Sequence, residues 1–216
     1  MIFYEEEVPI ETRDYIITHQ KLIESGLSHF EKEGFQQTKI RQLCLTAGVT
    51  TGAFYKHFTS KEALFEEIIQ PHINALINMY NEEFTKYLLN LENIDIEKSW
   101  RENFNELDPF INYIFENKRI FDLILFQSAG TKYQDIVEKI TSFVTKKTVC
   151  CLDKLKTIGM INQNLVFNEE EIHFYIYSFY ATFYDILKHS YSKEKTMLLT
   201  RRLYQFSVPG WIELLS

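Results

Sequence analysis

Glycine and proline are scarce in this chain, with 7 Gly and 4 Pro among 216 residues. Folds of many short strands need turn residues every few positions, so this poverty argues against a sandwich or barrel and predicts long helices. Cysteine is sparse as well. Cys44 and the adjacent pair Cys150 and Cys151 offer neither a disulfide framework nor metal-ligand spacing, and are expected to be small reduced core residues. The start, MIFYEEEVPIE, has no basic region followed by an apolar run, so no secretory leader is expected. The stretch Ile172 to Tyr184 is free of Asp, Glu, Lys and Arg but too short to span a bilayer, so the chain is expected in the cytoplasm with no membrane partner. There is no nucleophile elbow, phosphate loop, His-Glu metal motif or carboxylate pair at catalytic spacing, and His173 and His189 stand alone. No catalytic residue, metal or cofactor is therefore expected.

One local absence is more telling. The chain carries a net charge of −7, which taken alone argues against a nucleic-acid partner. Yet residues 34–61 contain no Asp or Glu and hold Lys39, Arg41, Lys56 and Lys61. A basic patch on an acidic body orients the molecule: one face can approach phosphate while the remainder is repelled. What the chain has in abundance is aromatic residues, 13 Tyr, 18 Phe and 2 Trp, which demand burial in a core, a pocket or an oligomer interface.

Apolar periodicity at Ile16, Ile23, Leu27 and Phe30, with Gln20 on the same stripe, predicts a first helix from roughly Thr12 to Lys32, ended by Gly34 in a left-handed C-cap. Thr38 is the expected N-cap of a short second helix that turns Ile40, Leu43, Cys44 and Ala47 inward, and Gly48 stops it. Thr50 then opens a third helix through Phe58, with Phe54 and Phe58 as an apolar pair one turn apart. Thr59-Ser60-Lys61-Glu62 fits a capping box for a fourth helix, with Phe58 and Ala63 as its staple and a kink or break expected at Pro71. Short helices joined by a tight glycine turn make a helix-turn-helix, and TTGAFYKHF, residues 50–58, occupies the recognition position. There Thr51, Gly52 and Ala53 are short enough for close groove approach, and Lys56 is placed to reach guanine O6 or N7. Thr38, Lys39 and Arg41, at the start of the helix that crosses the backbone, are expected on phosphates, and Lys61 reinforces the anion preference of the fourth helix's N-terminus.

Residues 22–65, and above all AGVTTGAFYKHFTSKEALF, resemble the DNA-binding domain of the TetR family of bacterial transcriptional regulators. The resemblance rests on Gly48-Val49, Phe54-Tyr55, His57-Phe58 and Lys61-Glu62-Ala63-Leu64. It implies phosphate contacts by Tyr55, His57 and Lys61, and Thr50 joins the DNA-binding set with the rest of its helix. Ser25-Gly26 stands where two small alanines are usual, His29 replaces a leucine and Cys44 an alanine. The arm before the first helix is acidic (Glu5, Glu6, Glu7), unlike the basic arm of many members. The implied plan is all-α: an N-terminal domain, residues 12–72, with the helix-turn-helix, and a helical C-terminal domain, residues 73–216, that dimerises and binds a small-molecule effector.

Further helices are expected over 96–107, 109–117, 119–128, 134–157, 169–190 and 193–206, with Pro209-Gly210 introducing a short tail. The stretch 172–184 is apolar nearly all round, so its helix needs cover on two sides: an intrachain core and, with residues 193–206, a homodimer interface. Trp100, Phe104, Tyr113, Phe121 and Phe126 are either the lining of an effector cavity or ordinary packing. The expected function is a ligand-responsive repressor reading double-stranded DNA at a palindromic operator. The alternative is a helical protein-interaction module that has kept this fold and lost DNA binding.

Overall fold

The computed structural model describes residues 10–93, 95–102, 105–166 and 168–215. The acidic arm, Glu5 to Glu7, and Phe104 lie outside the described residues. Every regular element among those described is helical: α1 (Ile10–Gln37), α2 (Ile40–Ala47), α3 (Thr51–His57), α4 (Lys61–Asn90), a 3-10 turn (Leu91–Asn93), α5 (Ile96–Glu102), α6 (Asp108–Glu116), α7 (Lys118–Phe126), α8 (Ile136–Thr157), α9 (Glu169–Lys188) and α10 (Lys193–Leu215). The chain divides into two compact units, Met1–Ile73 with Asp122–Gln134, and Asn74–Phe121 with Asp135–Ser216.

In the first unit the core is aromatic. Phe30, Phe35 and Phe65 are buried and meet edge-on, with centroids 5.1 Å (Phe30–Phe65) and 5.2 Å (Phe35–Phe65) apart. Leu22, Leu43, Phe54, Phe58, Leu64 and Ile69 complete it. The buried stripe of α1 is Leu22, Ser25, Gly26 and Phe30, rotated from the sequence expectation: Ile16 is exposed and Ile23 and Leu27 are only half-buried. The small pair sets this rotation. A Cβ on Gly26 would lie 2.8 Å from Leu64 Cδ2, so a larger residue would have to displace the Leu64 side chain, and Ser25 Oγ donates to Leu43 O at 2.8 Å.

Three boundaries differ from the sequence reading. Gly34 has φ 74° but ψ 163°, an extended turn rather than a left-handed cap, and it delivers Phe35 into the core with its N–H on Gln127 O at 3.0 Å. Thr38 is not the cap of α2. It is buried, and its Oγ1 donates back to Gly34 O at 2.8 Å, leaving Lys39 at the N-cap without a side-chain bond. The cap of α4 is Ser60, whose Oγ accepts from Ala63 N–H at 3.1 Å, so the box expected from Thr59 to Glu62 is displaced by one residue and lacks its reciprocal acid.

Proline was the least reliable stop. α4 runs unbroken through Pro71, which is exposed, so water can satisfy the Glu67 carbonyl that the missing N–H leaves free. Likewise α10 continues through Pro209-Gly210 to Leu215 instead of ending at 206, because Val208, Trp211, Leu214 and Leu215 extend its apolar stripe onto the core of the second unit. The helix expected over 96–107 stops at Glu102, and an Asn105–Asp108 turn precedes Pro109 in the first turn of α6.

The second unit's core gathers Leu91, Val144, Cys151, Leu152, Leu155, Ile172, Ile176 and Leu215, with Tyr80, Phe84, Tyr87, Trp100, Phe143, Tyr180 and Trp211 packed around them. Burial pushes the Cys151 thiol up to about 11, so it is a protonated core residue, as is buried Cys44, whose thiol burial also raises. Cys150, expected in the core, is exposed. Among the described residues no helix is long and apolar enough to cross a membrane.

Leu215 gives a direct check on the extended α10. Leu215→Ala is expected to cost about 2–4 kcal/mol in chemical denaturation, the range for a buried leucine truncation. A loss under about 0.5 kcal/mol would mean that the last turn contributes nothing to the core.

Candidate nucleic-acid interface

The turn between α2 and α3 is fixed by backbone bonds. Gly48 takes φ 68°, ψ 31°, a left-handed conformation open to glycine without a Cβ penalty. Its N–H reaches Leu45 O at 3.1 Å, and Val49 N–H reaches Cys44 O at 2.9 Å, which together close a Schellman motif. Thr50 then caps α3 through Oγ1, which accepts from Ala53 N–H at 3.0 Å. Phe54 and Phe58 are buried with ring centroids 5.7 Å apart, so the helix is pinned by one face.

The other face of α3 turns outward. Thr51, Gly52, Tyr55 and Lys56 are exposed, Tyr55 to 59%, and Ala53 is half-buried beside them. Lys39 and Arg41, at the start of α2, are exposed too. Lys39, Arg41 and Lys56 have no ion-pair partner among the described residues. Gly52 stands out, because no packing demands it. A Cβ there would meet only Thr50 Oγ1, at an unstrained 3.7 Å, so an internal role does not account for the missing side chain.

His57 is half-buried, with its ring 4.1 Å from Tyr15 and 5.4 Å from His19, and its Nδ1 is buried without a partner. His19 in turn pairs through Nε2 with Glu67 Oε1 at 2.5 Å. Burial first, then the nearby charges of His19 and Lys56, hold the His57 imidazole below its ordinary range. At neutral pH the ring is uncharged. It can meet a phosphate as a neutral hydrogen-bond donor and not as a cation.

Two expected phosphate contacts are turned inward. The Thr38 hydroxyl is buried on Gly34 O. Lys61 points away from the outward face: its Nζ donates to Phe35 O at 2.6 Å, Thr38 O at 2.8 Å and Gln36 O at 3.3 Å, and stands 4.3 Å from the Phe35 ring centroid. An ammonium has three donors, and all three are engaged by these carbonyls. Sequence order hid this contact because the carbonyls lie more than twenty residues before the lysine. One sign was legible: a cation in the first turn of a helix opposes the macrodipole and needs compensation from elsewhere.

In the second unit the aromatic ligand candidates do not form one lining. Trp100 packs on the core and donates to Tyr87 OH at 3.1 Å, while Tyr113 and Phe121 meet edge-on at 5.9 Å. Phe126 belongs to the first unit. A cleft of about 490 Å³ opens between α8 and the start of α9, lined by Ser142, Thr145, Lys146, Asn168, Glu169, Glu170 and His173, none of them a ligand candidate from the sequence.

Comparison with known proteins bears on this geometry. Residues 22–68 match the sequence model of "Bacterial regulatory proteins, tetR family". Over 59 residues, 27% of this chain, it is 36% identical to an uncharacterized HTH-type transcriptional regulator, YerO, of Bacillus subtilis. Over 62 residues, 28% of this chain, it is 39% identical to a probable acrEF/envCD operon repressor of Escherichia coli. The matches cover 20% and 28% of those proteins' own lengths. A crystal structure of a TetR-family transcriptional regulator from Syntrophomonas wolfei matches the fold with a TM-score of 0.58 at 16% identity, over 89% of this chain and 95% of that one.

The lowered His57 value has a direct consequence. The unfolded chain takes up the proton first as pH falls through about 6.5, so stability is lost from there downward. Long-range 1H–15N NMR should place the His57 titration below 6.5, and His57→Gln should flatten that part of the stability profile. A midpoint at or above 6.5 contradicts the burial argument.

Proposed function

We propose, from the premise that the chain belongs to the TetR family of bacterial regulatory proteins, that it is a homodimeric, ligand-responsive transcriptional repressor reading a palindromic operator through α3. The observation that carries this reading is the outward face of α3: short at Thr51, Gly52 and Ala53, free of acids, and with a glycine at 52 that no internal packing requires. Small side chains at its first exposed residues let a helix bring its backbone close to the base edges of the major groove. In this reading Lys56 reaches a guanine edge, Thr51 a base or phosphate, and Ala53 a thymine methyl. Lys39, Arg41, Tyr55 and neutral His57 hold phosphates, and Thr50, whose oxygen caps the helix, still has its hydroxyl proton to give.

The dimer rests on a second face. Ile172 and Ile176 of α9 and Thr196, Thr200 and Val208 of α10 are buried within the unit, yet Phe174 (61%), Tyr177 (41%), Leu198 (47%) and Phe206 (83%) stand in water on the same two helices. A second copy would cover them and set two recognition helices at the roughly 34–36 Å spacing of successive half-sites. Residues 12–72 then act as the DNA-binding domain and 73–216 as the effector and dimerisation domain. Coupling would pass along α4, whose missing backbone bond at Pro71 makes that turn its softest.

The rival reading, a protein-interaction module that no longer binds DNA, draws on the net charge of −7. Binding of the gene's own upstream DNA separates the two. The expected result is a specific complex whose affinity falls with salt at about 0.9 per phosphate held. Gly52→Ala should raise stability by about 0.5–1 kcal/mol, since alanine suits a helix better, and yet weaken the complex. Lys56→Ala should cost about 1–3 kcal/mol at its cognate site and relax sequence preference. Absence of binding at low salt would support the rival. Independently, Phe206→Glu should shift the sedimentation of the protein from dimer to monomer; an unchanged dimer would place the interface elsewhere.

A further inference from the structure

We propose that Lys61 is the positioning residue of the DNA-binding unit, acting on affinity by holding the corner between α1 and α2 and making no contact with DNA. The proposal rests on the DNA-binding reading above. Phe35, Gln36 and Thr38 surround the end of α1, where backbone carbonyls lack helical partners. The Lys61 ammonium gathers all three of these carbonyls, 2.6, 3.3 and 2.8 Å away, over the face of Phe35. This compensates a cation in the first turn of α4 that the helix dipole would otherwise disfavour. Desolvation lowers the lysine's proton affinity, as expected of a group drawn out of water.

The corner it grips is the mount of the interface. Thr38 is buried there, and Lys39 O accepts the N–H groups of Gln42 (3.0 Å) and Leu43 (3.2 Å), starting α2 with Lys39 and Arg41 exposed. Lys61 also follows Phe58 by three residues, so one side chain ties the start of α2 to the end of the recognition segment. A point-like ammonium suits three convergent carbonyls; the flat fork of a guanidinium does not. A phosphate contact would tolerate either cation. This difference makes the two roles separable.

The test uses the full chain with Lys61→Met and Lys61→Arg, upstream DNA titrated over a range of salt, and amide hydrogen exchange on the free protein. Both variants should bind roughly tenfold or more weakly, with the wild-type salt slope, because no phosphate contact has been removed. Exchange at Thr38, Gln42 and Leu43 should accelerate. Should Lys61→Met fail to fold, Lys61→Arg, which keeps the charge but not the three convergent bonds, carries the same measurements alone. A slope shallower by about 0.9, with full rescue by arginine, would assign Lys61 to phosphate and overturn the proposal. Unchanged exchange at the corner would overturn it equally. If the wild type binds no DNA, the functional reading fails while the exchange arm still decides whether Lys61 holds the corner.

Discussion

A helix of seven residues has almost no stability of its own in water, because nucleation uses up what few hydrogen bonds it can make. α3 exists because Phe54 and Phe58 are buried against the aromatic core of the first unit. Everything proposed for the interface depends on that burial. It fixes which side of α3 looks inward, and therefore that Thr51, Gly52, Tyr55 and Lys56 look out. The core that receives the two phenylalanines depends in turn on the tight crossing at Gly26 and on the turn at Gly34 that brings Phe35 under Phe65. Small residues in α1 and large ones in α3 and α4 are two halves of one packing solution.

Much of this was legible in the chain. Scarce glycine and proline announced a helical fold, and the glycine at 48 and the threonine at 50 marked a turn and a cap that the structure realises. These succeeded because their chemistry is local: a left-handed backbone and a hydroxyl three residues from its amide. The failures have the opposite character. Thr38 has the right chemistry for a cap but is drawn back onto Gly34 by burial. Pro71 and Pro209 break the local rule for helices, and one is tolerated through solvent while the other is overruled by Trp211 and Leu215 on the core. The carbonyl partners of Lys61 lie in another helix's end, a pairing no spacing could reveal.

The electrostatics of the first unit follow a division of labour among its cations and histidines. Lys61 is consumed internally, and His57 is kept neutral by burial and by its neighbours. Lys39, Arg41 and Lys56 remain as the outward positive charges of an acid-free window. Two groups that look alike in the sequence, a lysine at 56 and a lysine at 61, thus do unlike physical work: one is free charge at a surface, the other a three-pronged hydrogen-bond donor.

The unclaimed space around Gly52 has a consequence for how such a molecule can change. Thr51, Gly52 and Lys56 are exposed, and a side chain added at Gly52 would meet nothing closer than 3.7 Å, so these positions can be exchanged without repacking the residues beneath. The buried side of the same helix has no such latitude. New reading preferences are therefore accessible by single steps that leave the mount intact, and one durable scaffold can be refitted to many messages.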